Sequence, residues 1–285
     1  MDAGRTFRVA VVSLACAAAL TASSAAGGSA GVTTYVALGD SYSAAPLVPV
    51  TRTAAGCYRS SRNYPSLVAR ALTGESLDDR TCSGADTADL TQRQLPDIPP
   101  QFEALTADTD LVTVGIGGND SSVYSILTSG CPSLRASDPT GSPCRRAMHE
   151  YGADRLFTAV ATTEDRLVDV VAAVRERAPD ARIMLVGYPQ IAPRQGTCPD
   201  LLPLADGDYR YANQVILRLT LAVRHAAART NVDYIDVWKA SQGHDVCSED
   251  SWVNGRTTDP KRALAYHPFA EEQAAVAALI LDELG

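Results

Sequence analysis

Five short apolar runs, each followed by a stretch with helical spacing or turn residues, confine this chain to an α/β architecture. The runs fall at Thr34–Leu38, Ser76–Cys82, Asp110–Ile116, Ala181–Val186 and Val232–Val237. Helices are predicted over Asn63–Leu72, Thr87–Leu95, Ser121–Leu127, Asp154–Arg177, Tyr209–Arg229 and Phe269–Leu284. In the longest early one, Leu156, Val160, Leu167, Val170, Val171 and Val174 recur mostly at intervals of three or four, the period of one helix face. Strands alternating with helices predict a parallel sheet covered on both faces. A chain of 285 residues can form one large domain or two small ones. No shift in composition and no internal repeat divides it, so a single domain over 33–285 is expected.

The first 26 residues stand apart. Arg5 and Arg8 precede an apolar stretch, Val9–Leu20, and Ser24-Ala25-Ala26 supplies small residues for cleavage. The stretch is too short to span a bilayer, so it predicts a secretory signal peptide cleaved between about 26 and 30. Cys16 lies inside this segment, but Ser13-Leu14-Ala15 before it is a poor lipidation signal, so a lipid anchor is not expected. Export agrees with the six remaining cysteines, Cys57, Cys82, Cys131, Cys144, Cys198 and Cys247. An even number in an exported chain predicts three disulfides. Six cysteines admit fifteen connectivities. Sequential pairing is preferred, because each bridge would then staple one loop-rich segment, stabilising by roughly 3–4 kcal/mol in a chain-entropy account. The cysteines are scattered without Cys-x-x-Cys spacing, which argues against a zinc site. A net charge of −8 with no long basic run argues against a nucleic-acid partner.

The chemistry-bearing residues lie where the strands end. Gly39-Asp40-Ser41 follows the first run directly, and Ser41 is the candidate nucleophile, although Gly-Asp-Ser also suits a simple turn. Gly117-Gly118-Asn119-Asp120 follows the third run. The Asn119 amide can donate to an oxyanion without carrying charge. Gly115-x-Gly117 hints at a dinucleotide loop, but Asp120 stands where its third glycine is needed. Gly84, in the turn after the second run, offers a further backbone donor. Of the four histidines, His149 and His225 fall in helical contexts and His244 sits in a long loop before Asp245. His267, with Pro268, precedes the last helix and is the candidate base. A hydroxyl nucleophile, an imidazole base and preorganised N–H donors are the parts of an acyl-transfer site.

Together these segments resemble the GDSL/SGNH hydrolase family, whose four blocks match Gly39-Asp40-Ser41-Tyr42-Ser43, Gly84, Gly117-Gly118-Asn119-Asp120 and His267-Pro268. The likeness is strongest to secreted actinobacterial esterases and lipases. These share the Gly-Asp-Ser-Tyr-Ser opening, six cysteines, and segments like Gly243-His244-Asp245-Val246-Cys247 and Trp252-Val253-Asn254-Gly255. The resemblance implies a three-layer α/β/α sandwich, flavodoxin-like, with a five-stranded parallel sheet. It implies Ser41 as nucleophile and His267 as base. The oxyanion hole would be the N–H groups of Ser41 and Gly84 with the Asn119 side chain. It also supports the pairs Cys57–Cys82, Cys131–Cys144 and Cys198–Cys247.

Two positions depart from the family pattern. Tyr42 replaces the eponymous leucine and is expected to alter packing rather than chemistry. Leu264 replaces the aspartate that many members carry three residues before the histidine. A Ser–His dyad follows, with the Leu264 carbonyl orienting the imidazole; a carboxylate from Asp259 is the alternative. The expected function is an exported carboxylic-ester hydrolase acting on acyl esters, with lipids among the candidate substrates. A carbohydrate deacetylase or acyltransferase on the same site, or a non-catalytic binding module, are the other readings. The mechanism needs no cofactor or metal. A monomer is expected, without stable membrane insertion after signal removal, acting on a small-molecule or lipid ester. The 188–208 and 239–266 segments are expected to line its acyl pocket.

Overall fold

The fold is described from a computed structural model, which covers residues 1–2, 4, 31–53, 56–72 and 76–285. The export signal expected over 1–26 lies, apart from Met1, Asp2 and Gly4, outside the described residues, as does its cleavage region before Gly31. Five strands form one sheet: β1 (Thr34–Gly39), β2 (Ser76–Asp79), β3 (Leu111–Gly115), β4 (Arg182–Val186) and β5 (Asp233–Ile235). They lie in the order β2-β1-β3-β4-β5, and every pairing is parallel. The register sets Gly39 opposite Gly115, so β1 and β3 end side by side.

The helices are α1 (Ser41–Ala44), α2 (Tyr64–Ala71), α3 (Arg155–Arg177), α4 (Asp208–Thr230) and α5 (Ala270–Leu284), with shorter turns between them. Alternation along each strand divides the core in two. Val36, Leu38, Val112, Val114, Ile183 and Leu185 pack with Leu167, Val171 and Val174 of α3 and Val215, Leu219 and Val223 of α4. Tyr35, Ala37, Leu111, Met184 and Val186 pack on the other face with Tyr64 and Val68 of α2 and Val276 and Ile280 of α5. The result is the expected three-layer α/β/α sandwich, within a compact unit spanning Val32–Gly285. Among the described residues no helix is long and apolar enough to cross a membrane.

Local chemistry explains where the elements start and stop. The Asp154 carboxylate accepts the Phe157 N–H at 3.0 Å and caps α3. The Asn63 side chain caps α2, with Pro65 in its first turn. The second strand, Ser76–Asp79, is shorter than expected, although the N–H groups of Arg80 and Cys82 still donate to the Ala37 and Gly39 carbonyls of β1. The helix expected over 87–95 is only a single turn, Thr87–Leu90, whose first N–H, that of Thr87, donates to the Asp120 carboxylate. Three disulfides join Cys57–Cys82, Cys131–Cys144 and Cys198–Cys247. The first ties the turn holding Gly84 to the segment after β1; the third ties the long loop before α4 to the loop after β5.

Two of the buried carboxyls are shifted strongly upward. Burial raises Glu272, in the first turn of α5, from 4.5 to about 8, against the opposing donation from Gln273 Nε2. Burial raises Asp40 from 3.8 to about 7, against hydrogen bonds from Tyr188 and the Tyr42 N–H. Each native carboxyl holds a proton that the unfolded chain releases near pH 4, so both contributions are fully present below that pH and fade as pH rises toward 7–8. We predict that Glu272→Gln raises the melting temperature relative to the parent at about pH 8 and leaves it unchanged at about pH 5. A difference independent of pH in calorimetric scans at both values would refute the assignment.

Candidate active site

The strand order places the chemistry. In an open sheet ordered 2-1-3-4-5, the crevice lies beyond the carboxyl ends of β1 and β3, where the connections leave in opposite directions. Ser41 follows β1 and Asn119 follows β3, so both stand at that switch point. The Asp40 N–H donates to the Gly115 carbonyl at 2.9 Å, extending the β1–β3 pairing to the residue before Ser41. Asp40 caps α1: its Oδ1 accepts the Tyr42 N–H at 2.8 Å. Ser41 opens this helical turn and is 7 % exposed.

A second link runs from Asp40 to the Asn119 loop. Tyr188, just after β4, donates its hydroxyl to Asp40 Oδ2 at 2.5 Å and accepts the Gly118 N–H at 2.8 Å. Gly118 must be glycine here, because a Cβ would stand 2.0 Å from the Tyr124 ring. Asn119 donates from Nδ2 to the Ala85 carbonyl at 2.9 Å, which leaves its second amide hydrogen for another acceptor. Gly84 lies one residue before Ala85 with φ +82°, a backbone conformation open to glycine at little cost. Asp120 reinforces the same junction. Its carboxylate accepts the N–H and hydroxyl of Thr87, both at 2.9 Å, and pairs with Arg166 of α3 at 3.1 Å. The Gly84 turn and the Asn119 loop are thus held together from both sides.

His267 sits half-buried in the turn before α5. Its Nδ1 lies 2.8 Å from the Ala265 carbonyl. A carbonyl only accepts, so Nδ1 carries the hydrogen and Nε2 of the neutral ring is left with a lone pair. This corrects the expectation that Leu264 orients the imidazole. The Leu264 carbonyl accepts instead the His267 backbone N–H at 3.2 Å and Asn254 Nδ2 at 3.0 Å. The turn is tight enough that the carbonyl two residues back, rather than three, meets the ring. Asp259 is also not the partner: its carboxylate accepts the Lys261 N–H at 2.9 Å within its own turn. Burial pushes the His267 imidazole below its ordinary 6.5, and the bond to Ala265 partly opposes this.

Tyr42 joins the two ends of the chain. Its hydroxyl donates to the Tyr266 carbonyl at 2.7 Å, and its ring centroid lies 5.8 Å from that of His267. Gln273 of α5 donates to the Tyr42 carbonyl at 2.8 Å and accepts the Tyr64 N–H at 2.7 Å. The His267 turn is held from its other side by Asn254, whose Nδ2 faces the carbonyls of Thr257, Ala263 and Leu264, each at 3.0 Å. Sequence reasoning gave no role to Tyr188, Asp120, Asn254 or Gln273. Asp120, Tyr188 and Asn254 lay inside segments it had singled out; Gln273 carried no local signal, since its partners are remote.

Comparison with known proteins shows the family and the fold. The profile of the GDSL-like lipase/acylhydrolase family matches residues 37–274. Lipase 2 of Streptomyces coelicolor is 39% identical over 88% of this chain and 85% of its own length. Among solved structures, phospholipase A1 from Streptomyces albidoflavus superposes with a TM-score of 0.72 at 30% identity, covering 89% of this chain and 100% of that one. An extracellular lipase from Streptomyces rimosus gives 0.72 at 28% identity, over 89% and 100%.

Tyr188→Phe removes one proton donor and one acceptor from the Asp40–Gly118 link and leaves both partners buried. We predict a fall in kcat of about 10- to 100-fold with KM little changed, the loss expected when buried hydrogen-bonding groups are left unpaired. Unaltered steady-state kinetics in a folded Tyr188→Phe protein would show that the link does not support the site.

Proposed function

On the premise that this chain belongs to the GDSL-like lipase/acylhydrolase family and is a serine ester hydrolase, we propose that it cleaves acyl esters with a Ser41–His267 dyad. The observation that carries this reading is the Nδ1 contact of His267 with the Ala265 carbonyl. It fixes the tautomer in which Nε2 can take a proton from the Ser41 hydroxyl, the task a carboxylate performs in a triad. Ser41 Oγ attacks the ester carbonyl as Nε2 takes the hydroxyl proton. The oxyanion is met by the N–H groups of Ser41 and Gly84 and the free Asn119 amide hydrogen. His267 then returns the proton to the departing alkoxide, and water repeats the sequence on the acyl-enzyme. The dyad has support in the remaining engagements of Asp259, which keep its carboxylate within its own turn.

Export is part of the same proposal. The Arg5–Ala26 segment has the composition of a secretory signal, and three disulfides suit an oxidising compartment. The Streptomyces rimosus structure is that of an extracellular lipase.

In the dyad, Ser41→Ala abolishes labelling by a fluorophosphonate probe, and His267→Ala lowers kcat by about three to six orders of magnitude. Asp259→Asn stays within about twofold of the parent, since its carboxylate makes only a local turn contact. A loss in Asp259→Asn matching that of His267→Ala would overturn the dyad. Activity requires neutral His267, and burial favours that form. The acid limb of kcat/KM should therefore titrate below the ordinary histidine 6.5. An acid limb above that value would contradict the assignment.

A further inference from the structure

The turn that carries Gly84 spends every backbone donor but one. The Cys82 N–H donates to the Gly39 carbonyl of β1 at 3.0 Å, that of Ser83 to the Cys57 carbonyl at 3.0 Å and that of Ala85 to the Cys82 carbonyl at 3.1 Å. Among the described residues nothing accepts the Gly84 N–H. Gly84 is exposed, whereas Cys82 and Ala85 are buried. A single free donor is left on a turn that is otherwise closed.

The turn alone does not fix where that donor points. The bond from Ala85 back to Cys82 makes residues 82–85 a β-turn, with Gly84 in third place at φ +82°, the arrangement of type II. Type I differs from it by a half-rotation of the central peptide, here the one joining Ser83 to Gly84, and glycine accepts either state. The peptide unit is planar and trans, so its carbonyl and its N–H point in opposite directions. A half-rotation therefore swings the Gly84 N–H to the other face of the turn. Whatever holds the Ser83 carbonyl holds the Gly84 N–H as well.

Gln94 holds that carbonyl. Its Nε2 donates to the Ser83 oxygen at 2.8 Å and lies 3.4 Å from the point that a Cβ on Gly84 would occupy. Every other residue within 91–97 is exposed, and Gln94 alone is half-buried. The acceptor settles which way the amide faces, because a carbonyl can only receive. Oε1 of Gln94 is then buried with no partner among the described residues. An unpaired buried oxygen costs stability, so an apolar side chain of the same length would serve the fold at least as well. What only the amide supplies is the hydrogen bond to Ser83. That bond also polarises the peptide and strengthens the N–H at its far end as a donor.

Resting on the reading of Gly84 as an oxyanion donor, we propose that Gln94 is a positioning residue for the reaction: its amide locks the Ser83–Gly84 peptide with the Gly84 N–H toward the nucleophile. Asn119 braces the same turn from the other side of Gly84, through the Ala85 carbonyl at 2.9 Å.

The test compares two variants on a soluble p-nitrophenyl ester. Gln94→Met keeps the length and removes the amide; Gln94→Glu keeps the shape and removes the donor, and decides the matter where Gln94→Met does not fold. Both should lower kcat about 10-fold with KM within about twofold, a smaller loss than the roughly 10²–10³ that deleting an oxyanion donor costs. Affinity for a trifluoromethyl ketone, which becomes a tetrahedral oxyanion when Ser41 Oγ adds to its carbonyl carbon, should fall by the same factor as kcat/KM. The melting temperature of Gln94→Met should equal or exceed the parent's, the reverse of what an amide kept only for the fold predicts. A folded variant with kcat within about twofold of the parent overturns the proposal, and so does a loss of kcat that leaves the ketone affinity unchanged. If Asn119→Ala also leaves kcat unaltered, the oxyanion reading beneath the proposal falls with it.

Discussion

The parallel pairing of β1 with β3 is the constraint on which the rest of the molecule depends. It brings Gly39 and Gly115 opposite one another and lets the next residue, Asp40, bond back to Gly115. Two loops that are distant in sequence then start from a common edge. Every other feature of the site refines that convergence. Asp40 and Tyr188 fix the spacing between the loops, Asp120 and Asn119 draw in the Gly84 turn, and the Cys57–Cys82 bridge anchors that turn from below. A buried network of this kind gains rigidity only if each member is satisfied. Here Asp40, Tyr188 and Gly118 satisfy one another across three separate segments.

The polar groups around the site are costly to bury. Burial holds Asp40 and Glu272 as much weaker acids than ordinary carboxyls, and the hydroxyl of Tyr124 lacks a partner. Such concentrations of unfavourable burial occur where a protein gives up stability for function. Away from the site the core is conventional. Two faces of alternating apolar residues are each covered by a pair of helices, and the surface carries mostly exposed ion pairs, which add little to stability.

Much of this was legible in the sequence because it rests on local signals. The apolar run at Thr34–Leu38 and three-to-four spacing over 156–174 state their own secondary structure, and Asn63 and Pro65 mark where a helix begins. What failed had a long-range cause. The helix expected after Thr87 is a single turn, and the Asp120 carboxylate that receives its first N–H lies more than thirty residues away along the chain. The carbonyl facing His267 depended on the curvature of a single turn, and spacing along the chain cannot distinguish Leu264 from Ala265. Tyr42 was visible as a departure from the family block, but its bond to Tyr266 could not be read from either position alone.

That bond spans 224 residues of chain. A polypeptide is made in order, and Tyr42 leaves the ribosome long before Tyr266 exists. Until then the serine turn has no imidazole beside it and its tyrosine ring lacks the acceptor that would hold it in place. Glutamine 273, which secures the same turn from α5, arrives later still. A junction wired in this way stays open throughout the making of the chain, and closes only once its two extremities have met.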